Sequence, residues 1–416
     1  MSSRSPLAAC QRFGESDVPS GWVIEPIRER IWLEYGAGLV ESQRVEGPYP
    51  VYGSNGAVGS HTEFMVSGPG ILVGRKGSVG AVHFSERAFW PIDTVYYVRR
   101  KGEDSWKYLF YLLSYLRLDR LNAATGLPGL SRRDAHLMLG VFPPLDEQQQ
   151  MVSALDMCDE AMGIVSRQIG ATQRVKAALM QQLFTKGVPG RHSKYKSIVV
   201  FRRRVDFPAT WEASQLRSNV TRVEYGTNAP SNEYKAGYPV IAIPQVVASR
   251  LELGDVPYAD LTKAEANALR LEPDDVLLIR TNGNPDYIGK STVVTSDVAA
   301  QHVVFASYLI RVRTEKTRLL GAYLNYFLAS PLGRRQAMAM ANTSAGNHNL
   351  GARSLKQFWL PLPEKDEQQD IVETLNRCED TVDALGRKLK SLEELKQALL
   401  QNLLTGKVRV NMEALV

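Results

Sequence analysis

Between residues 146 and 186, apolar or small side chains fall at Val152, Leu155, Cys158, Met162, Val165, Ile169, Val175, Leu179 and Leu183. Steps of three and four put them on one stripe of a helix, close to a heptad seam. The stripe returns later at Val372, Leu375, Cys378, Val382, Leu385, Leu389, Leu395, Leu399 and Leu403, with Leu392 bridging the wider gap. Each stretch follows a Pro-rich, strand-like lead, Val141-Phe142-Pro143-Pro144 and Phe358-Trp359-Leu360-Pro361-Leu362-Pro363. Asp146 and Asp366 read as N-caps, with Gln149 and Gln369 three residues on, as in a capping box. Gly187 with Pro189, and Gly406, supply the stops. Rods of about 40 residues span roughly 60 Å, and a single stripe on each needs a partner. The other copy, packed antiparallel, is the obvious one. With midpoints near Ser166 and Gly386, position x faces roughly 552 − x. Cys158 then lies near Glu394 and about 24 Å along the bundle from Cys378, beyond the reach of a disulfide.

The periodicity is part of a literal repeat. Asp146-Glu147-Gln148-Gln149 recurs as Asp366-Glu367-Gln368-Gln369, and the match runs on without a gap. Arg167 finds Arg387; Lys176, Ala178, Leu179, Gln181, Leu183, Thr185 and Val188 find Lys396, Ala398, Leu399, Gln401, Leu403, Thr405 and Val408. Identity at one fixed offset makes the chain two similar halves.

Ahead of each rod lies a mixed segment with strand-like and helix-like stretches. Their openings are alike, Val18-Pro19-Ser20-Gly21-Trp22 and Phe207-Pro208-Ala209-Thr210-Trp211. Glu34-Tyr35-Gly36 matches Glu224-Tyr225-Gly226, and Tyr49-Pro50-Val51 matches Tyr238-Pro239-Val240. The strand Ile71-Leu72-Val73-Gly74-Arg75 corresponds to Val276-Leu277-Leu278-Ile279-Arg280. A helix-like stretch follows in both, roughly 104–121 and 317–341, then a loop ending in Leu130 or Leu350. Elsewhere the segments diverge, which suggests one scaffold carrying two different sets of recognition loops.

The order of module, helix, module, helix, with the Pro-x-x-Trp opening, the strand-Pro-Leu-x-Glu-Gln-Gln junction and the long-helix tail near Leu-x-x-Gly-Lys, resembles the specificity subunit of type I restriction–modification systems. The likeness runs over about residues 18–410. It implies an α+β chain with two mixed α/β target-recognition domains and two long antiparallel helices forming a coiled coil, related by a pseudo-two-fold internal repeat. The expected divisions are an N-terminal arm (1–17), a first target-recognition domain (18–145), a central spacer helix (146–187), a basic linker (188–205), a second target-recognition domain (206–365), a C-terminal spacer helix (366–406) and a tail (407–416). The implied role is non-catalytic: each domain reads half of a split target on double-stranded DNA, and the helices set the spacing. The implied partners are two methyltransferase subunits and restriction subunits, which bring S-adenosylmethionine, ATP and Mg. No cofactor is expected in this chain. The same architecture serves two-subunit type II enzymes, and the basic lead Phe201-Arg202-Arg203-Arg204-Val205 departs from the family pattern.

Composition changes this picture little. Net charge is +6, which leans toward an anionic partner. No apolar run approaches a membrane span and the N-terminus lacks an apolar signal core, so a cytoplasmic protein is expected. Three cysteines make no disulfide framework and, with the His residues, no metal-ligand spacing. Cys158 and Cys378 read as small hydrophobes on the stripe. A methyltransferase in its own right would need a cofactor site. Leu33-Glu34-Tyr35-Gly36-Ala37-Gly38 is a degraded Gly-rich loop with Val40 at its third glycine. Asn284-Pro285-Asp286-Tyr287 is a degraded adenine-holding motif with Asp286 at its second proline. The two fall in different repeats, and turn chemistry explains both.

DNA reading needs phosphate contacts for affinity and base-edge contacts for specificity, commonly Arg on guanine and Asn or Gln on adenine. In the first module the candidates are Asn55 in the turn Tyr52–Gly56, Arg75 and Lys76 at a strand end, and Arg132 and Arg133 after the loop from Thr125 to Ser131. In the second they are Arg280, Asn282 and Asn284 at the equivalent strand end, and Asn347, His348 and Asn349 in the equivalent late loop. The run Lys186–Arg204 is basic and free of acids; it either touches phosphates or is a solvated linker.

Overall fold

The structure is a computed structural model and describes residues 18–121, 129–200, 203–232, 234–248, 251–344 and 346–409. The expected N-terminal arm, Cys10, Arg202, residues 125–128 of the first late loop and residues 410–416 of the tail lie outside the described residues. The chain divides into two compact units, Met1–Arg167 with Gly386–Val416, and Gln168–Leu385.

The first unit holds a four-stranded antiparallel sheet in the order Ile31–Tyr35, Val95–Arg100, Gly70–Gly74, Val82–Ser85. Its inner strand Gly70–Gly74 is buried throughout, as an uninterrupted apolar run should be when both faces are covered. A second sheet pairs Tyr49–Gly53 antiparallel with Gly56–His61 and parallel with Trp90–Pro91. The helix Trp106–Tyr115 packs its Leu109, Leu112 and Leu113 into the core, and Val23–Pro26 pairs with Leu139–Phe142.

The second unit repeats the plan. Its four-stranded sheet runs Val220–Tyr225, Leu309–Thr314, Val276–Ile279, Ser291–Val293, again with the fully buried strand third. Tyr238–Ile241 pairs parallel with Val304–Phe305, as Tyr49–Gly53 does with Trp90–Pro91. Glu212–Gln215 pairs with Trp359–Leu362, and the helix Gly321–Ala329 takes the place of Trp106–Tyr115. A further helix, Pro331–Met340, follows it. Residues 188–205, read above as a basic linker, contain most of a hairpin in which Tyr195–Val200 pairs with Arg203–Pro208. Val200, Val205 and Phe207 sink into the same core as Leu183 and Phe184.

The long helices run over Leu145–Lys186 and Lys365–Leu404. In the first unit Met151 and Leu155 share a core with Leu400, Leu403 and Leu404; in the second, Met180, Leu183 and Phe184 share one with Ile371, Val372 and Leu375. The start of each helix therefore meets the end of the other, which is antiparallel pairing. Two ion pairs fix the register: Lys396 with Asp159, and Lys176 with Glu379. Each is three residues from the 552 − x expectation, less than one turn. Cys158 and Cys378 are both free thiols.

Both helices start one residue earlier than expected. Pro144 and Glu364 carbonyls already accept from the Gln148 and Gln368 amides (3.0 Å each). Asp146 and Asp366 thus sit in the first turn, where they complement the helix dipole. The expected capping box is not the feature that holds these termini. Gln369 donates instead to Glu373 (3.4 Å).

The inner pair of the repeated motif does the joining. Gln148 Oε1 accepts from the Ser105 amide at the head of the helix Trp106–Tyr115 (2.9 Å), and its Nε2 donates to Asp104 (2.7 Å) and the Pro143 carbonyl (2.9 Å). Gln368 accepts from the Leu320 amide at the head of Gly321–Ala329 (2.9 Å) and donates to the Arg318 (2.7 Å) and Pro363 (3.0 Å) carbonyls. Glu147 accepts from the Trp22 indole (3.1 Å), and Glu367 from Trp211 (2.8 Å). The repeated Pro-x-x-Trp and Asp-Glu-Gln-Gln motifs are therefore two sides of one joint, built twice.

A second duplicated cluster ties each module to both helices. Tyr111 donates its hydroxyl to Asp156 and Asp159 (2.7 Å each), with Lys396 on Asp159 and over the Tyr111 ring. Tyr326 donates to Asn376 (2.7 Å) and Glu379 (2.8 Å), with Lys176 on Glu379 and over the Tyr326 ring. Burial first, and then the neighbouring carboxylates, push both tyrosine hydroxyls far above their ordinary pKa.

Candidate nucleic-acid interface

Each module gathers its candidate residues around the end of the buried central strand. In the first, the Arg75 and Lys76 amides bind the Thr94 carbonyl (2.9 and 3.1 Å), and the Arg75 carbonyl accepts from the Leu130 amide (2.9 Å). The strand end, the turn before the last strand and the late loop are thereby fastened together. The hairpin turn carrying Asn55 is fastened alongside: Ser54 Oγ accepts from the Ser78 amide (3.4 Å), and Asn55 itself is exposed. Arg75 and Arg132 both stand over the Tyr35 ring, 5.1 and 4.8 Å from its centre, and Arg132 is also 5.6 Å from Trp32. Lys76 and Arg133 are exposed. An open concavity of about 640 Å³ is lined by Arg75, Lys76, Gly77, Tyr96, Gly129, Leu130 and Ser131. Burial, then the adjacent Tyr35, pushes the Tyr96 hydroxyl up to about 12, so it stays a donor, given to the Leu130 carbonyl (3.1 Å).

In the second module the Arg280 amide binds the Tyr308 carbonyl (3.0 Å), and the Arg280 carbonyl accepts from the Leu350 amide (2.8 Å). The guanidinium lies 4.6 Å from the centre of the Tyr225 ring and donates to the Ser307 carbonyl (3.0 Å) and Asn349 Oδ1 (3.2 Å). Thr281–Asn282 forms a small sheet with Asn347–Asn349 and Asn342–Ser344, opposing Asn282 to His348 and Thr281 to Asn349. Asn284 sits beside it, its amide donating to Asn282 Oδ1 (2.8 Å). Thus Arg280, Asn282, Asn284, Asn347, His348 and Asn349 occupy one surface, as Asn55, Arg75, Lys76 and Arg132 do in the first unit. Among the described residues none of Arg75, Lys76, Arg132, Arg133 or Arg280 forms an ion pair with a carboxylate.

Two exposed aromatics at this surface escaped selection from the sequence. Tyr35 and Tyr225 end equivalent strands and remain 47% and 43% exposed. The signal was present, because both belong to the repeated Glu-Tyr-Gly. The glycine is needed for close approach: a Cβ on Gly36 would stand 2.2 Å from the Ile92 carbonyl oxygen, and one on Gly226 2.0 Å from that of Phe305. The glutamate pairs across the sheet, Glu34 with Arg99 (3.3 Å) and Glu224 with the fully buried Arg311. Leu33–Gly38 is accordingly strand and loop, followed only by the single 3-10 turn Glu41–Gln43 and not by the α-helix that a phosphate-binding loop would open. Asn284 caps the short turn Pro285–Tyr287, accepting from the Asp286 amide (2.9 Å). Among the described residues no group of three or more His, Cys, Asp or Glu is placed to hold a metal ion, and no helix is long and apolar enough to cross a membrane.

The family profile described as type I restriction modification DNA specificity domain matches this chain twice, over residues 38–171 and 218–394. The chain belongs to this family. Each match takes in most of one module and much of the helix that follows it. Relatives in the specificity-subunit family include the type I restriction enzyme EcoKI specificity subunit of Escherichia coli, 23% identical over 304 residues, 72% of this chain and 64% of that one. The chain thus matches under two thirds of the length of that relative. The MjaVIII specificity subunit of Methanocaldococcus jannaschii is 23% identical with 94% of each chain covered. A crystal structure of a type I restriction–modification S subunit from M. genitalium superposes with a TM-score of 0.59 at 15% identity, over 95% of this chain and 98% of that one. A chain from a structure on complex assembly and conformational transition of a type I system gives 0.56 at 13% identity, over 94% and 99%.

Proposed function

We propose that this specificity-family chain is the non-catalytic subunit that reads a two-part DNA target, one half-site per module. One observation carries the reading: the same scaffold is built twice, and it presents unlike side chains at the same place. In the first module that place is occupied by Asn55, Lys76 and Arg132, in the second by Asn282, Asn284 and the hairpin Asn342–Asn349. A framework repeated in detail holds geometry, and loops differing on it read different bases. The unpaired cations at both surfaces suit a polyanion.

The chemistry on DNA belongs in this proposal to partners: two methyltransferase subunits, one for each copy of the repeat, which supply S-adenosylmethionine, and restriction subunits using ATP and Mg. Two equivalent faces of one chain invite two copies of one partner. Sequencing of methylated sites in a host with and without the chain tests the reading. We expect adenine methylation at a split motif with unread bases between its halves, absent without the chain. Methyl transfer by the purified chain alone would overturn it. So would a continuous, undivided motif.

A further inference from the structure

We infer that Arg75 and Arg280 take the backbone phosphates of the bound duplex, and that base reading is left to the residues around them that differ between modules. This rests on the proposed reading of DNA by both modules and divides that work among named side chains.

The two arginines correspond in their backbone bonds to the scaffold and in the ring each stands over. Both follow the buried central strand, Gly70–Gly74 or Val276–Ile279. Both amides bind the turn before the last strand, at Thr94 and Tyr308, and both carbonyls receive the leucine that ends the late loop, Leu130 and Leu350. Both guanidinium groups rest on the exposed tyrosine of Glu-Tyr-Gly. In both, Nε is buried with no hydrogen-bond partner, and neither has a carboxylate among the described residues. A half-buried cation with neither counter-ion nor full hydrogen bonding is costly, and it is relieved when an anion arrives. The guanidinium carbon stands over the tyrosine ring, 5.1 Å from its centre in the first module and 4.6 Å in the second.

Sharing decides which anion. The modules differ at the positions beside these arginines: Lys76 against Thr281, Gly77 against Asn282, Arg132 against Ala352. Half-sites of different sequence have one chemical element in common, the sugar–phosphate backbone. A group held by the same backbone bonds and over the same ring in both modules fits that common element, whereas groups that differ fit the bases. In the second module Arg280 also spends donors on Ser307 and Asn349, which orients the hairpin strand bearing His348 and leaves fewer free for the bidentate grip on guanine.

The test uses the full chain assembled with its methyltransferase partners. Arg75→Gln, Arg280→Gln and the corresponding lysine variants are titrated on the target duplex, on duplexes changed at each half-site position, and at several salt concentrations. For each glutamine variant we expect affinity to fall on the order of tenfold on all duplexes alike, with the salt dependence shallower by about one unit of log–log slope. The lysine variants keep the charge, so slope and base preference should stay as in the wild type. If Arg75→Lys or Arg280→Lys relaxes preference at one base pair, the residue reads a base and the inference is overturned. Should glutamine variants melt early, the lysine pair still decides. A wild type without preference for any duplex would overturn the proposed function itself, a different outcome from a misassigned arginine.

Discussion

The two modules share their joints and differ at their tips. At the joint, Trp22, Glu147, Gln148 and Tyr108 in one module do what Trp211, Glu367, Gln368 and Tyr323 do in the other, down to hydroxyl bonds from Tyr108 to Val141 (2.6 Å) and from Tyr323 to Pro361 (2.7 Å). At the tip, Tyr35 carries two arginines, while Tyr225 carries one and accepts from the Ala352 amide (2.9 Å). Both late loops lead into a short helix, Arg132–Leu137 or Ala352–Leu355, and in the second module the strands Asn342–Ser344 and Asn347–Asn349 ahead of it are laid on Thr281–Asn282. Buried hydrogen bonds tolerate no substitute partner, so they are copied between modules. Exposed side chains carry no such constraint and are the ones free to set different specificities.

The joint is not equally deep in both copies, and this is where the comparison should break first. Glu367 is 3% exposed and receives Trp211, the Val188 amide (3.1 Å) and His192 (2.7 Å), whereas Glu147 is 23% exposed and holds Trp22 with Arg409 at 3.5 Å. Glu367→Ala should destabilise the chain by about 3 kcal/mol and Glu147→Ala by about 1 kcal/mol, read by denaturant unfolding. Equal losses would mean that the second copy gains nothing from its extra donors.

At the tips, damage should be modular. Asn282→Ala with His348→Ala should cost about 1–3 kcal/mol at positions of one half-site only, and Asn55→Ala with Arg132→Ala a similar amount at the other. Methylated-site sequencing with partners supplied reads this directly. An effect of the Asn282 and His348 pair on both halves would contradict one module per half-site. Removing seven residues from each long helix, two turns, should change the tolerated spacer and leave both half-sites intact. A changed base preference there would show that the helices do more than separate.

The smallest expected difference is in acid. His136 belongs to the first module alone, its place in the second being near Leu355. Its Nε2 accepts from the Leu33 amide (3.1 Å), which only the unprotonated nitrogen can do. Burial first, then Arg132, Lys101 and Arg28, holds its pKa below the ordinary 6.5. The unfolded chain then binds the extra proton at higher pH than the folded one. The stabilisation is complete above 6.5 and is lost as pH falls below it toward the folded value. Melting of wild type and His136→Gln between pH 7.5 and about 5.5 should converge on acidification. Parallel curves would remove the histidine from this account.

Much of this was written in the sequence. The fixed-offset identity gave two halves, and the three–four stripe gave two long helices needing each other, because a helix of that length cannot leave its apolar face in water. The register came within a turn from midpoints alone. The N-caps did not: Pro144 and Glu364 open the helices, and local propensity favoured Asp over them without knowing that Glu147, Gln148 and their repeats would be claimed by Trp22, Ser105, Trp211 and Leu320. Those partners stand 43 to 156 residues away, so no window on the chain contains both ends of the bond. The candidate surfaces divide the same way. Strand ends and late loops could be aligned by eye, but only the folded sheet shows Tyr35 under Arg75 and Tyr225 under Arg280, and Asn349 bound to Arg280. Periodicity and repetition are local or collinear and survive in one dimension; which cation lacks a counter-ion depends on every group around it, and that is settled only by packing.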